Sequence, residues 1–373
     1  MRIGFSTFVM DGGRSGIATY IRELIRFLQL EDEKNAYELF MARPDTELIP
    51  LSNPNFRKTI FPPFVSRPLV NIGWHNTALP LKGGCDVVHV PTARRIPVLK
   101  GARVVATVHD LATFAVDGKY DPARVFFNRK VVPAMIRRAD HVIAVSEFTK
   151  RDLVELAGYP EERISVIYSG VDRDVFHPVD PAEAREKTRL AHGLEKPFFI
   201  YVSRLEHPGK NHVRLIDAFE RFKLENDSAH QLVLAGADWN GADAIRARAA
   251  RSPVRDDIVF LGFVPQQSLP LLYSACDLMV FPSLFEGFGF PIVDALACGA
   301  PVACSNTSSM KEIAADVVPT FDPTDPEEIA HHMAAAVSAG RTPETLVRGT
   351  EYASRFDWRK TAREVMEVYR SLN

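Results

Sequence analysis

The chain is poor in cysteine: Cys85, Cys276, Cys298 and Cys304 are the only four, and no two make a CxxC pair or a metal-site spacing. A disulfide framework and a cysteine metal centre are therefore excluded, and the apolar or small neighbours of each predict buried free thiols in a reducing compartment. No apolar run approaches the roughly 18 residues that a membrane-crossing helix needs. The amino end enters an apolar strand, Arg2–Phe8, without a leader segment. Together these predict a cytoplasmic chain, attached to a membrane at most peripherally. Neither charge sign dominates, with 45 Lys and Arg against 47 Asp and Glu, and no nucleic acid is expected as a partner. Internal repeats, low-complexity tracts and the GxGxxG fingerprint are also missing, which argues against solenoids and against a dinucleotide cofactor. No metal and no cofactor are expected.

What is present is alternation. At 373 residues the chain is longer than one hydrophobic core usually spans, so two domains are expected. Short apolar runs (Ile3–Met10, Val87–Val90, Val104–Val108, Val142–Ser146, Ile164–Tyr168) alternate with amphipathic helical stretches such as Ile17–Leu28 and Ala123–Arg138. A second series begins at Phe198–Ser203 and continues through Leu232–Ala235, Ile258–Leu261, Leu278–Phe281 and Val302–Cys304. Strand, helix, strand in this order predicts parallel sheets wrapped by helices, an α/β chain whose ligands bind at the carboxyl ends of strands. The charged segment 172–196, with Pro178 and Pro181, separates the two series. Domains are expected at 1–176 and 177–356, with a last helix in 357–373. Charge is uneven: residues 1–178 carry 24 Lys and Arg against 20 Asp and Glu, the remainder 21 against 27.

The most informative stretch is Phe285-Glu286-Gly287-Phe288-Gly289-Phe290-Pro291, continuing through Asp294 to Cys298-Gly299. Pro291 suits the first turn of a helix, where its missing N–H has no partner to lose. Gly287 and Gly289 let a ligand approach the backbone, and the amides of Gly287, Phe288, Gly289 and Phe290 would point at an anion. Glu286 and Asp294 flank that anion as hydroxyl acceptors. A phosphate bracketed by hydroxyls describes a sugar nucleotide. The second strong stretch, Ser203-Arg204-Leu205-Glu206-His207-Pro208-Gly209-Lys210-Asn211, follows a strand and precedes a helix. Its two cations can converge on one diphosphate, Arg204 as a fork and Lys210 as a point charge.

Both stretches resemble the retaining glycosyltransferases of family 4. The family signature has a Glu, seven residues and a second Glu before small residues and a Cys-Gly; here the second carboxylate is Asp294, shorter by one methylene, roughly 1.5 Å. The resemblance implies the GT-B fold, two Rossmann-like domains facing a cleft, with the C-terminal helix crossing back to the N-terminal domain. It also implies that Arg204 and Lys210 grip the donor diphosphate and that His109, in Thr107-Val108-His109-Asp110, contacts the donor sugar with Glu286. Val264, in Leu261-Gly262-Phe263-Val264, falls where backbone groups pair with the base. The loop Asp11-Gly12-Gly13-Arg14-Ser15-Gly16-Ile17 joins a strand to a helix; the family usually shows Gly-Gly-Ile there, and Gly13 and Gly16 are the candidates for phosphate approach. Val145–Lys150 and Ser169–Asp172 echo the same family.

The expected activity is metal-independent, retaining hexosyl transfer from a nucleotide sugar to a saccharide or lipid-linked saccharide, by leaving-group stabilisation; no carboxylate pair of the hydrolase type is evident. Likeness to bacterial polysaccharide mannosyltransferases favours GDP-mannose as donor, with UDP-glucose second. The alternatives are a sugar-nucleotide epimerase of the same fold and a non-catalytic nucleotide-sugar-binding subunit. Asp172-Arg173-Asp174 is a DxD, too short a motif to imply a metal on its own. Residues 124–138 interleave basic and apolar side chains, which fits contact with an anionic membrane as well as an ordinary core helix with a solvated face.

Overall fold

The computed structural model describes residues 1–81, 84–115 and 122–372. Its described residues divide into two units, one built from residues 1–81, 84–114, 122–170 and 357–372, the other from residue 115 and residues 171–356. Each is a parallel sheet with helical crossovers. In the first, β1 (Arg2–Ser6), β2 (Ala36–Ala42), β3 (Phe56–Phe61), β4 (Val87–Val90), β5 (Arg103–Val108), β6 (His141–Ala144) and β7 (Ile164–Val166) lie in the order β3-β2-β1-β4-β5-β6-β7. In the second, β8 (Phe198–Val202), β9 (Gln231–Ala235), β10 (Ile258–Gly262), β11 (Leu278–Phe281), β12 (Val302–Ser305) and β13 (Thr320–Phe321) lie in the order β10-β9-β8-β11-β12-β13. The α/β reading is borne out.

These runs become central strands because both faces are covered. All four residues of β4, β11 and β12 are buried, so each strand is a continuous apolar run with no solvent side. The first core gathers Val88, Val90, Val104, Ala106, Val142 and Ala144 beneath Trp74, Ile136 and Leu153. In each sheet the chain starts in the middle, builds to one edge, then returns to build the other. Crossovers leave in opposite directions from β1 and β4, and again from β8 and β11, which makes the carboxyl ends of those strands the switch points of the two sheets.

Two elements differ from expectation. β1 stops at Ser6, because the Met10 amide turns back to the Thr7 carbonyl at 3.1 Å. The helix expected over 123–138 is three pieces: α-helix at Pro122–Phe126, a π-helical turn at Phe127–Val131, and α-helix at Val132–Ile136. Pro133 is the cause. It has no N–H to give the carbonyl of Arg129 and its ring crowds that carbonyl, and the wider turn relieves both.

The final helix, Trp358–Ser371, packs within the first unit, as expected. Its buried residues, Trp358, Thr361, Ala362, Val365, Met366, Val368 and Tyr369, recur at helical spacing on one face. Gly170 admits it: a Cβ there would lie 2.2 Å from the Trp358 nitrogen. Arg359 and Arg363 both reach Glu31 on the helix Gly16–Glu31, each at 2.7 Å. Among the described residues no helix is long and apolar enough to cross a membrane.

Candidate functional site

The second sheet changes direction between β8 and β11, and the two strongest sequence motifs are the loops that leave those strands. Tertiary structure joins them. Lys210 Nζ, from the loop after β8, donates to Glu286 Oε1, from the loop after β11, at 2.5 Å. Both side chains retain some solvent access, 18% and 16%. The loops are also tied by backbone, since the Leu284 amide donates to the Gly209 carbonyl at 3.0 Å.

Behind this pair stands a polar frame. Asn211 takes a left-handed conformation (φ 60°) and sends its amide nitrogen to the carbonyls of Pro282 and Pro323, at 3.0 and 2.7 Å. One buried side chain thus holds three segments in register. Tyr201, on β8, donates to the Lys210 carbonyl at 3.0 Å and shares a 2.9 Å hydrogen bond with Ser283. Burial, then the nearby Glu286 carboxylate, raises the Tyr201 phenol, so it stays protonated. Burial, with Lys210 adding to it, pushes the His212 ring down to about 3, which keeps it neutral behind the cation.

The Glu286 loop is pinned from the other side by the segment after β12. The Glu286 amide donates to Ser308 Oγ at 3.0 Å, while the Ser309 and Thr307 hydroxyls donate to the carbonyls of Glu286 and Leu284 at 2.9 and 3.1 Å. Gly289, the N-cap residue of the helix Phe290–Ala297, has φ 95° and ψ 53°, a conformation that costs a side-chain-bearing residue of order 1–3 kcal/mol. Phe288 packs its ring on Phe290 and Phe356, so the turn presents backbone at 287–290 rather than that ring. Asp294 is half-buried in the second turn of the helix. Burial and then its charge raise both Tyr273 and Cys298. Val264 follows β10 and is half-buried.

Arg204 opens the loop after β8. Its guanidinium reaches Glu206 at 3.4 Å and lies over the Trp239 ring, 4.7 Å from its centre. A cation held on an aromatic face keeps its edge N–H groups available for an anion.

In the first unit, His109 follows β5 and its Nε2 donates to the Pro91 carbonyl, beyond β4, at 3.2 Å. That bond requires the Nε2–H tautomer and leaves Nδ1 as an acceptor. Burial holds the ring down to about 4, against the pull of Asp110 and of the Pro91 carbonyl. The Tyr20 ring packs edge-on against it, centroids 4.9 Å apart. Behind them Tyr20, Thr107, His89 and Tyr369 form a buried chain: Tyr20–Thr107 at 3.0 Å, Thr107–His89 at 2.8 Å, His89–Tyr369 at 2.6 Å. Gly13 sits in a short 3-10 turn with φ 82° and donates its amide to the Met10 carbonyl at 2.8 Å. Gly16 is the first residue of its helix, which Ser15 caps by accepting from the Ala18 amide at 3.2 Å.

Sequence reading missed Trp239, Asn211, the 307–309 hydroxyls and the Tyr20–Tyr369 chain. Trp239 alone carried a signal, an aromatic between Gly236 and Gly241 in a strand–helix loop. The DxD residue Asp172 accepts the Asp174 amide at 3.2 Å in a tight local turn. Among the described residues, no group of three or more His, Cys, Asp or Glu could hold a metal ion.

Two doubly wound parallel units, the second with charged loops at its switch point, place the chain in a class of α/β proteins that bind ligands at the carboxyl ends of strands, and comparison narrows it. The fold is GT-B, shared with the solved structure of HepE from Anabaena in complex with UDP and glucose, which aligns over all of both chains with a TM-score of 0.77 at 21% identity. Residues 14–175 match the family model described as Glycosyltransferase Family 4, and residues 183–356 the model described as Glycosyl transferases group 1. The chain belongs to this glycosyltransferase family. The O-antigen chain mannosyltransferase B of Escherichia coli is 29% identical over 271 residues, 72% of this chain and 71% of that one. The serotype-specific mannosyltransferase WbdA of the same organism is 29% identical over 277 residues, and the match spans about a third of its length (34%).

Proposed function

We propose that the chain transfers a hexose, mannose by preference, from a nucleotide diphosphate sugar to a saccharide or lipid-linked saccharide in polysaccharide synthesis, with retention at the anomeric carbon and without a metal. The donor is GDP-mannose, with UDP-glucose second. The observation that carries the reading is the Lys210–Glu286 pair at the switch point of the second sheet. It sets a cation for the diphosphate beside an acceptor for sugar hydroxyls, a few ångströms apart. The names of the Escherichia coli mannosyltransferases support mannose; the UDP held by HepE supports a nucleotide in this fold.

In this reading residues 177–356 bind donor, residues 1–176 bind acceptor, and the helix in 357–373 completes the acceptor domain. Arg204 and Lys210 neutralise the leaving diphosphate with the amides of 287–290 at the head of their helix, which places the stabilisation where charge develops and leaves a metal no task. When donor enters, Lys210 turns to phosphate and Glu286 accepts hydrogen bonds from the sugar. Asp294 accepts from the ribose hydroxyls, and Val264 offers its backbone to the base. His109, neutral, offers Nδ1 to a sugar hydroxyl. Gly13 and Gly16 let substrate approach the backbone at the first loop. The exposed basic residues among 124–138 rest on an anionic membrane where the acceptor is lipid-linked.

The test is thermal stabilisation by GDP, UDP, GDP-mannose and UDP-glucose, each with and without EDTA. A ligand at a hundred times its dissociation constant adds about 2.7 kcal/mol. Stabilisation by the GDP pair alone, unchanged by EDTA, is the expected result. Stabilisation by UDP ligands alone replaces the donor, and loss of the effect in EDTA overturns the metal-free mechanism.

A further inference from the structure

Trp239 is a large aromatic with 46% of its surface exposed, yet its backbone is held as firmly as a strand. Its amide donates to the Leu205 carbonyl at 3.1 Å, the Leu205 amide to Ala237 at 2.9 Å, and the His207 amide to Asn240 at 3.0 Å. These bonds continue the β8–β9 pairing beyond both strands, through a bridge at Leu205 and Asp238. Gly236 is what lets the two loops meet, since a Cβ there would lie 1.9 Å from the Ser203 carbonyl oxygen. Asp238, one residue before the indole, accepts from Nη2 and Nε along one edge of the Arg246 guanidinium, at 2.8 and 3.2 Å. An exposed indole on so constrained a loop contributes little to a core. What it covers is the guanidinium of Arg204.

We propose that Trp239 is a positioning residue that holds the Arg204 guanidinium ready for the donor diphosphate; the inference rests on the donor reading above. A long arginine side chain in water loses rotamer freedom when it captures an anion. Stacking on the indole removes part of that freedom before the ligand arrives. The face of the guanidinium meets the ring and one edge nitrogen reaches Glu206. The remaining edge N–H groups, those that make a fork for phosphate oxygens, lie off the ring face.

The experiment is calorimetric binding of GDP and UDP to the full chain as wild type, Trp239→Phe, Trp239→Leu, Arg204→Ala and the double variant Trp239→Leu with Arg204→Ala. For whichever diphosphate the wild type binds, Trp239→Leu should weaken binding by roughly three- to tenfold and Trp239→Phe should restore most of it. In the Arg204→Ala background the Trp239→Leu change should add no further loss. The matching nucleoside, which offers Arg204 no phosphate, should bind wild type and Trp239→Leu alike. Equal losses for nucleoside and diphosphate, or a full additional loss in the double variant, overturn the inference in favour of direct contact between the indole and the nucleoside. A loss in Arg204→Ala without one in Trp239→Leu overturns it alone. Diphosphate binding undiminished in Arg204→Ala, or absent from the wild type, overturns the donor reading and this inference with it.

Discussion

The two sheets share a winding order, β3-β2-β1-β4-β5 in one and β10-β9-β8-β11-β12 in the other, but they finish their switch points with opposite chemistry. The second sets partly buried charges: Arg204 on its indole, Lys210 against Glu286, and loops bound by Asn211 and the hydroxyls of 307–309. The first buries neutral groups. Ser6 bonds to His75 at 2.8 Å, and the Tyr20–Thr107–His89–Tyr369 chain runs beneath His109. One topology thus yields a charged cluster in one unit and a buried uncharged network in the other. Net charge does not foretell which. The half with the excess of Lys and Arg is residues 1–178, whereas Arg204 and Lys210 lie in the other.

The contrast can be broken most sharply at Glu286. Glu286→Ala should cut transfer more than a hundredfold with the melting temperature little changed, because it removes a charged acceptor and releases Lys210 from its pair. Wild-type turnover would place the chemistry elsewhere.

Acid should separate the units next. Burial holds His75, His89 and His109 at about 4, 3 and 4, against an ordinary 6.5, and also lowers His141; in the second unit, among the described residues, it pushes His212 to about 3 and lowers His332. Each folded-state value is depressed, so below 6.5 the unfolded chain binds protons that the folded chain refuses. Their contribution is whole above pH 6.5 and is lost as pH falls from 6.5 toward 4, up to about 3 kcal/mol for a ring held near 4. Hydrogen exchange should show residues 1–170 losing protection before 171–356 between pH 6 and 4.5. Simultaneous loss would mean that these rings do not distinguish the units.

Asn211→Gly tests the frame of the second switch point. Glycine accepts the left-handed backbone, so the change removes only the side chain's bonds: two carbonyls lose their donor, at about 1–3 kcal/mol each, and Arg214 loses an acceptor at 3.1 Å. Denaturant midpoints should fall by the equivalent of about 2 kcal/mol or more, with diphosphate binding weakened too. A variant as stable as wild type would show that water replaces the amide at no cost. The smallest effect belongs to the first unit's surface. Glu31→Gln removes the shared partner of Arg359 and Arg363, both largely exposed, and should cost only about 0.5–1 kcal/mol and vanish in high salt. A larger, salt-independent loss would make that contact part of the helix's anchorage.

Much of this molecule is readable locally. Phe198–Val202 and Leu278–Phe281 announce strands because a strand covered on both faces must be apolar throughout. Gly289 and Pro291 announce a turn into a helix because backbone geometry there admits few other residues. The face of Trp358–Ser371 announces its burial through period alone. The break at Phe127–Val131 was half legible, since Pro133 forbids a regular helix without saying what replaces it.

Partnership across the chain is another matter. Lys210 meets Glu286 because β8 and β11 are neighbours, and Ser308 reaches the Glu286 amide because β12 lies beside β11; strand order is settled by how crossovers pack, which no local pattern records. His89 and Tyr369, 280 positions apart, share a hydrogen bond only because the last helix returns to the first unit. Residue types and their spacing therefore named the chemical groups available, two cations, two carboxylates and a glycine-rich turn. Packing alone chose the partners, because a hydrogen bond or a stacked cation depends on ångström-scale distances that only the assembled sheet sets.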